Sequence, residues 1–268
     1  MTELKTDARL IKTAVTGSAV FYGDCLEVMK SIPDHSIDMI LTDLPYGTTQ
    51  CKWDSVIDLE KLWLQYERII KDNGAIVLTA QTPFDKVLGY SNLKLLKYEW
   101  IWEKSSATGH LNAKKMPMKA HENVLVFYKN PPVYNYQKTE GHERKVSKAE
   151  HKTNCKESDV YNKGQKLTTY DSTERYPRSV LKFASDKQKS KLHPTQKPLA
   201  LMEYFVKTYS NEGDIILDNT AGSGTTGIAC INTNRNYILI EKEQKYFDVI
   251  NERIYIHTEK KRSYENAS

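Results

Sequence analysis

The stretch DNTAGSGT at residues 218–225 follows the strand-like run 213–217 and precedes a helix-like run that begins at Thr225. A strand, a glycine loop and a helix in this order are typical of α/β sheets that bind nucleotides, because the glycines permit a tight turn and the helix start presents free N–H groups. Glu241 ends the next strand-like run, where an acid can accept hydrogen bonds from ribose hydroxyls. A plain strand-to-helix turn is the alternative for the loop taken alone.

A second motif, DLPYG at residues 43–47, follows the strand-like run 36–42. Asp43 can accept a hydrogen bond from an exocyclic amino group, the Leu44 carbonyl can accept a second, Pro45 stiffens the turn, and Tyr46 offers a face for stacking. Two acceptors on an aromatic amine favour a rehybridised nitrogen whose lone pair can attack an electrophilic methyl group. The alternative interpretation is a capped turn with a packing tyrosine.

Strand-like and helix-like runs alternate up to about residue 129 and again after Pro198, which predicts an α/β protein with a doubly wound mixed sheet. Helices are expected at 58–71, at 83–96 and at about 244–256, the last one followed by a frayed tail. Between 131 and 191 the pattern dissolves into scattered tyrosines and charges. We therefore divide the chain into a first half, an insert, a second half of the same domain and a flexible tail, at 18–129, 130–192, 193–258 and 259–268.

Positive charge is concentrated in the insert. The chain has a formal net charge of +5, and residues 130–192 hold 14 Lys and Arg against 8 Asp and Glu. A basic surface of this kind binds phosphates with an affinity that falls with salt. A solvated, lysine-rich loop region is the alternative interpretation.

Composition excludes several other classes of protein. Four cysteines without CxxC spacing indicate reduced thiols, and we expect neither a structural zinc site nor any other metal. No apolar run approaches the roughly 20 residues that span a bilayer, and the first residues lack an apolar signal region. We therefore expect a cytoplasmic protein with no membrane association.

The motifs and their order resemble those of the DNA methyltransferases that modify amino groups of bases. In that family Asp/Asn/Ser-Pro-Pro-Tyr/Phe is the catalytic motif, and Asp-Pro-Phe-x-Gly-Ser-Gly-Thr binds the cofactor S-adenosylmethionine. The order DLPYG, recognition region, HPTQKP at 193–198 and glycine loop is similar to the permuted β group. Over roughly 18–256, the resemblance implies a circularly permuted, Rossmann-like methyltransferase fold with an inserted target-recognition region. It also implies methyl transfer to N6 of an adenine flipped out of double-stranded DNA.

The resemblance also implies roles for individual residues. The target base would be held by Asp43, Leu44, Pro45 and Tyr46. The cofactor would be bound by Asp24, Cys25, Asp43, Thr195, Lys197, Asp218, Asn219, Gly222, Ser223, Gly224, Thr225 and Glu241, with Lys197 pairing with its carboxylate. DNA would be contacted by Arg175, Arg178 and Lys182, although the arginines could equally brace the insert.

The sequence departs from the family pattern at two places and leaves alternatives open. Leu44 replaces the first proline of the catalytic motif, and Asn219-Thr220 replaces Pro-Phe in the cofactor motif. Asp43 resembles the adenine-specific members, and cytosine-N4 methylation in the same pocket is the alternative. A silent DNA-binding relative and a nicotinamide dehydrogenase are alternatives from other classes. A homodimer and a partner endonuclease are compatible with the sequence.

Overall fold

The computed structural model describes residues 10–12, 17–47, 55–148, 169–184 and 196–265. The chain divides into two compact units, one formed by Met1–Asn135 with Ser179–Ser268 and the other by Tyr136–Arg178. The described strands are β1 Leu10–Lys12, β2 Ala19–Tyr22, β3 Ile37–Asp43, β4 Ile70–Ala80, β5 Leu96–Thr108, β6 Lys119–Phe127, β7 Lys145–Ser147, β8 Tyr170–Ser172, β9 Val180–Phe183, β10 Ile215–Asp218 and β11 Asn236–Glu241. The described α-helices are α1 Cys25–Met29, α2 Leu59–Ile69, α3 Phe84–Ser91, α4 Leu199–Tyr209, α5 Thr225–Asn232 and α6 Gln244–Glu265.

The first unit is built on a nine-stranded sheet of order β1-β2-β11-β10-β3-β4-β6-β5-β9. Strands β2, β11, β10, β3 and β4 run parallel, whereas β6 is antiparallel to both β4 and β5. The predicted doubly wound mixed sheet is therefore confirmed. The central strands are β10 and β3. The chain leaves β10 through α5 and returns to the sheet at β11, beside β10, whereas it leaves β3 through α2 and returns at β4, beside β3 and in the opposite direction along the sheet. A crevice opens at such a switch point, outside the carboxyl ends of the two central strands.

Helices cover both faces of this sheet. Helices α4, α5 and α6 pack on one face and α1, α2 and α3 on the other. Alternation along β3 explains how one strand serves both layers, since Met39 and Leu41 belong to the first core and Ile40 to the second. Burial of both faces fixes the register of β3 and thereby the position of Asp43 at its end.

Two helix ends differ from the prediction. Helix α6 continues to Glu265, beyond the expected end near 256 and into the expected tail at 259–268. Its last turns contain no glycine or proline, and Lys261 Nζ donates to the Ile231 carbonyl oxygen at 2.6 Å, which ties them to the end of α5. Helix α3 stops at Ser91 instead of near 96, because the backbone of Asn92 leaves the helical conformation (φ −149°, ψ 65°).

The second unit is narrower than the predicted insert of 130–192. Within Tyr136–Arg178, β7 and β8 pair antiparallel, and Arg144 forms two hydrogen bonds with Asp171 at 2.7 and 2.8 Å. Strand β9 instead pairs with β5 in the nine-stranded sheet. The predicted boundaries at 130 and 192 stay predictions.

Candidate active site

One cavity of about 290 Å³ lies at the carboxyl ends of the central strands of the first unit. Its wall includes the whole segment 43–46 and most of the segment 218–226. Two motifs separated by more than half of the chain are thus brought together, because β10 and β3 are neighbours in the sheet. The predicted residues on the wall are Asp24, Cys25, Asp43, Leu44, Pro45, Tyr46, Lys197, Asp218, Asn219, Gly222, Ser223, Thr225 and Glu241.

The glycine loop turns tightly between β10 and α5. Gly222 and Gly224 have φ angles of +53° and +77°, in the left-handed region that favours glycine. Gly224 is the N-cap residue of α5. Glu241 Oε2 accepts a hydrogen bond from the Gly222 N–H at 2.8 Å, and its Oε1 accepts one from the Glu243 N–H at 2.8 Å. Burial raises the pKa of Glu241, and these N–H groups oppose the rise.

Asp218 supports the loop from inside the protein. Its Oδ1 accepts hydrogen bonds from the Thr42 hydroxyl at 2.7 Å and the Thr220 N–H at 3.2 Å, and its Oδ2 accepts one from the Thr226 hydroxyl at 2.5 Å. Burial raises the pKa of Asp218 to about 6, although the hydroxyl donors oppose this. These hydrogen bonds join the end of β3 to the glycine loop and the start of α5, so Asp218 holds the two motifs together.

The two loops also contact each other directly. The Thr220 hydroxyl donates to the Asp43 backbone oxygen at 3.0 Å. Thr220 stands where the family pattern has phenylalanine, so this departure from the pattern supplies a polar link between the glycine loop and the end of β3.

The Asp43 carboxylate lies in a network of hydrogen-bond donors. Its Oδ1 accepts hydrogen bonds from the Tyr46 and Thr79 hydroxyls, each at 2.5 Å, and its Oδ2 accepts one from Lys197 Nζ at 2.6 Å. Thr79 lies on β4, next to β3, and Lys197 precedes Pro198, the N-cap residue of α4. Three elements therefore fix the orientation of this carboxylate.

The Tyr46 side chain has partners on its ring as well as on its hydroxyl. The ring stacks on Phe84, with 5.4 Å between centroids, and Lys197 Nζ lies 5.5 Å from the Tyr46 centroid. Burial, followed by the Asp43 charge, raises the pKa of Tyr46 well above its usual value. The hydroxyl therefore stays protonated and remains a donor to Asp43. Stacking of a base on this ring stays a prediction.

Lys197 connects Asp43 to two charged residues that sequence reasoning missed. Its Nζ lies 3.1 Å from Glu122 Oε2, and Glu122 Oε1 lies 2.7 Å from Lys104 Nζ. Burial alone would lower the pKa of Lys197, but Asp43 and Glu122 hold that pKa well above its usual value. Burial likewise would raise the pKa of Glu122, but Lys197 and Lys104 keep it lowered. The sequence signal that could have indicated this network is the presence of charged residues inside the apolar, strand-like runs 96–104 and 122–127.

The remaining predicted residues are placed as follows. Asp24 is exposed and caps α1, since its Oδ1 accepts a hydrogen bond from the Leu26 N–H at 2.9 Å. Cys25, Ser223 and Thr225 are buried, and burial raises the pKa of the Cys25 thiol. Asn219 Oδ1 accepts a hydrogen bond from the Tyr66 hydroxyl at 2.6 Å. Thr195 lies outside the described residues.

The predicted DNA-contacting residues fall in different environments. In the second unit, Arg175 is half-buried, and its guanidinium donates to the carbonyl oxygens of Ser172, Glu174 and Glu143. Bracing of the insert is therefore the interpretation that its contacts support. Arg178 is exposed. Lys182 lies on β9 of the first unit, exposed and 3.5 Å from Glu103.

Two absences hold for the part of the chain that the structure describes. No group of three or more His, Cys, Asp or Glu side chains there could hold a metal ion. No helix there is long and apolar enough to cross a membrane.

Comparisons with known proteins agree on one family. The family profile described as DNA methylase matches residues 37–252. The type II methyltransferase M.HinfI of Haemophilus influenzae is 29% identical, over 88% of this chain and 68% of that protein. The DNA adenine methyltransferase YhdJ of Escherichia coli is 28% identical, over 85% of this chain and 79% of that protein. The crystal structure of the M1.HpyAVI-SAM complex superposes with a TM-score of 0.60 at 27% identity, over 87% of this chain and 98% of that one.

Proposed function

This chain belongs to the DNA methylase family, and we propose that it transfers a methyl group from S-adenosylmethionine to N6 of an adenine in double-stranded DNA. The observation that carries the proposal is that one cavity is lined by both the DLPY segment and the glycine loop. The relative YhdJ, named a DNA adenine methyltransferase, and the aspartate at the first catalytic position support adenine as the target.

The residues around the glycine loop fit S-adenosylmethionine. Glu241 is already oriented by two backbone N–H groups and keeps lone pairs that can accept hydrogen bonds from ribose hydroxyls. Asn219 Nδ2 is buried and has no oxygen or nitrogen acceptor among the described residues. Its neighbour is the Cys25 thiol, a weak acceptor, so this N–H group is a donor available to a ligand. When bound, this cofactor supplies a methyl group that its sulfonium makes electrophilic. The pairing of Lys197 with the cofactor carboxylate stays a prediction, since Lys197 is paired with Asp43 here.

The DLPY segment would act on the base amino group. A base inside a duplex hides this group, so the target must leave the stack, at a cost of a few kcal/mol. Asp43 and the Leu44 carbonyl are acceptors that favour the rehybridised nitrogen. Because Tyr46, Thr79 and Lys197 already hold the Asp43 carboxylate in place, little reorganisation is needed when charge develops on the nitrogen. The surplus amine proton leaves to solvent, so Asp43 need not be a strong base.

The test is methyl transfer from labelled S-adenosylmethionine to unmethylated DNA, followed by mass analysis of the nucleosides. We expect N6-methyladenine from the natural protein and a loss of at least about 100-fold in Asp43→Ala, because alanine has no acceptor in place of the carboxylate. Asp34→Ala, at an exposed carboxylate outside the cavity, is the matched control. N4-methylcytosine as the product would overturn the choice of base, and no product on varied DNA would overturn the reaction.

A cofactor-binding measurement separates catalysis from binding. S-adenosylhomocysteine should raise the melting temperature of the natural protein and of Asp43→Ala, whereas NAD should raise neither. Protection by NAD instead would favour a dehydrogenase. Protection by S-adenosylhomocysteine without any methylated product would favour a silent DNA-binding relative.

Further assignments follow from the same proposal. Recognition of the bases around the target is assigned to the second unit, where Arg178 is exposed. Lys182 would contribute a phosphate contact from β9. A homodimer, a partner endonuclease and a cytoplasmic location stay predictions, and the first of them is measured by sedimentation.

A further inference from the structure

The connection between β5 and β6 is an exposed, basic hairpin with apolar side chains at its tip. The hairpin tip, defined here as residues 109–118, is exposed at every position. Leu111 is 98% exposed, and Met116 and Met118 are exposed as well. Residues 105–121 contain three lysines and two histidines and no acidic residue. Single exposed apolar residues are common, but three on one tip beside lysines mark an interaction surface.

The base of this hairpin forms part of the cavity wall. Ser106 and Thr108 on β5 and Glu122 on β6 line the cavity. Lys119, which pairs with Thr108 across the two strands, donates from its Nζ to Gln81 Oε1 at 3.1 Å, and Gln81 lines the cavity too. The tip therefore projects from the rim of the cavity that a flipped base would enter.

We propose that the hairpin tip enters the DNA duplex beside the target base. Leu111 occupies space in the base stack when the adenine has left it, and Lys114 and Lys115 contact the neighbouring phosphates. Leucine and methionine are among the side chains that proteins insert between base steps, and lysines without nearby acids complement the phosphate backbone. The inference rests on the proposed function, because it needs a duplex from which a base is removed.

The test compares Leu111→Ala with Leu64→Ala, an equally conservative change of a leucine that is 70% exposed on α2, away from the cavity. Two duplexes carry the same site, which is located by sequencing the product of the methylation assay. One has adenine as the target and is used for kcat/KM; in the other, 2-aminopurine, which lacks the 6-amino group, replaces that adenine and reports base flipping by its fluorescence. Leu111→Ala should show a smaller fluorescence rise on the second duplex and about a tenfold lower kcat/KM on the first, the order expected when burial of one leucine side chain is lost. Circular dichroism and melting temperature verify that both variants fold.

A second DNA substrate tests whether Leu111 acts on the opening of the base pair. When an abasic site faces the target adenine, there is no base pair to open, so the kcat/KM of Leu111→Ala should recover to within about twofold of that of the natural protein.

The phosphate contacts are tested separately. In the double variant of Lys114 and Lys115 to alanine, the slope of log affinity against log salt should fall by about two.

The outcomes separate the two proposals. An inactive natural protein overturns the proposed function itself. An active natural protein whose Leu111→Ala variant matches Leu64→Ala on both DNAs overturns only the role of the hairpin tip. An equal loss for Leu111→Ala on both DNAs also overturns it, because the leucine would then act on a step other than base flipping.

Discussion

Replacing Lys197 with methionine tests the charge network beside Asp43. Lys197 is 7% exposed, and its Nζ lies 2.6 Å from Asp43 Oδ2 and 3.1 Å from Glu122 Oε2. Methionine keeps the unbranched shape but leaves both carboxylates without this cation. Removing one partner of a buried ion pair costs about 3–5 kcal/mol. Because Lys104 still pairs with Glu122, we expect the lower end, a fall of about 3 kcal/mol in the free energy of unfolding.

Lys71→Met is the matched control for this experiment. Its Nζ also lies 2.6 Å from a carboxylate oxygen, that of Asp38, but the Lys71 side chain is 42% exposed. Exposed pairs are worth about 1 kcal/mol or less, so this variant should lose no more than that. Since the two ion pairs have the same length, the difference between the variants measures the effect of burial. Urea unfolding of both variants provides the free energies, with equal m-values as the condition for comparing them.

The pH dependence gives the same experiment a second readout. The pKa of Glu122 is lowered in the folded protein, so its stabilisation is present above the unfolded value of 4.5 and is lost as the pH falls through the folded value. Without Lys197, burial opposed by Lys104 alone raises that pKa, and the carboxyl takes up a proton more readily. The deficit of Lys197→Met should therefore be largest near about pH 7 and shrink towards about pH 5. A deficit equal to that of Lys71→Met, or one that grows on acidification, would refute the reasoning.

Three further predictions concern the glycine loop and the second unit. Gly224→Ala should cost more stability than Gly213→Ala in thermal unfolding. Both have positive φ, worth about 1–2 kcal/mol, but only at Gly224 would the new Cβ lie 3.1 Å from an isoleucine of α6. The pKa of Asp218 is raised to about 6, so its ionisation opposes folding, and the free energy of unfolding falls as the pH rises from about 4 to about 6. Asp218→Asn should make this fall smaller in urea titrations. An unchanged dependence of the free energy of unfolding on pH would contradict this. Arg178→Ala should reduce the salt slope of DNA binding by about one, whereas Arg175→Ala should lower stability and leave that slope unchanged.

The strands and the two loops of the cavity could be predicted from the sequence because local signals define them. The runs before Asp43 and Asp218 are apolar enough to be buried strands, and a glycine or proline turn follows each. The carboxyl ends of parallel strands lie at the same edge of a sheet. The sequence alone therefore predicts that the loops after these two strands lie close together. Helix α2 was predicted to within two residues for a similar reason, since Asp58 caps it and its apolar residues recur at helical spacing.

The charge network could not be predicted in the same way. Glu122 and Lys104 lie on the paired strands β6 and β5. They come close to Lys197 and Asp43 only because β6, and not β5, pairs with β4 in the strand order β3-β4-β6-β5. Strand β9 was missed because its four residues stand in a charged region and gain their partners from β5. Arg175 looks like a DNA contact in the sequence, and only the tertiary structure shows its guanidinium bound to carbonyl oxygens.

The position of β3 has a consequence for how the protein is made. One neighbour of β3 is β4, which follows it closely, but its other neighbour is β10, and the hydrogen-bonded pair of Thr42 and Asp218 is 176 residues apart in the chain. On the ribosome, one edge of β3 therefore stays without its partner until most of the chain has emerged. Unpaired strand edges favour association between chains. The first half of the chain therefore depends on a chaperone, or on rapid synthesis of the second half, to avoid this association. The same order means that no nascent chain holds both walls of the cavity before the glycine loop at 218–225 has been synthesised.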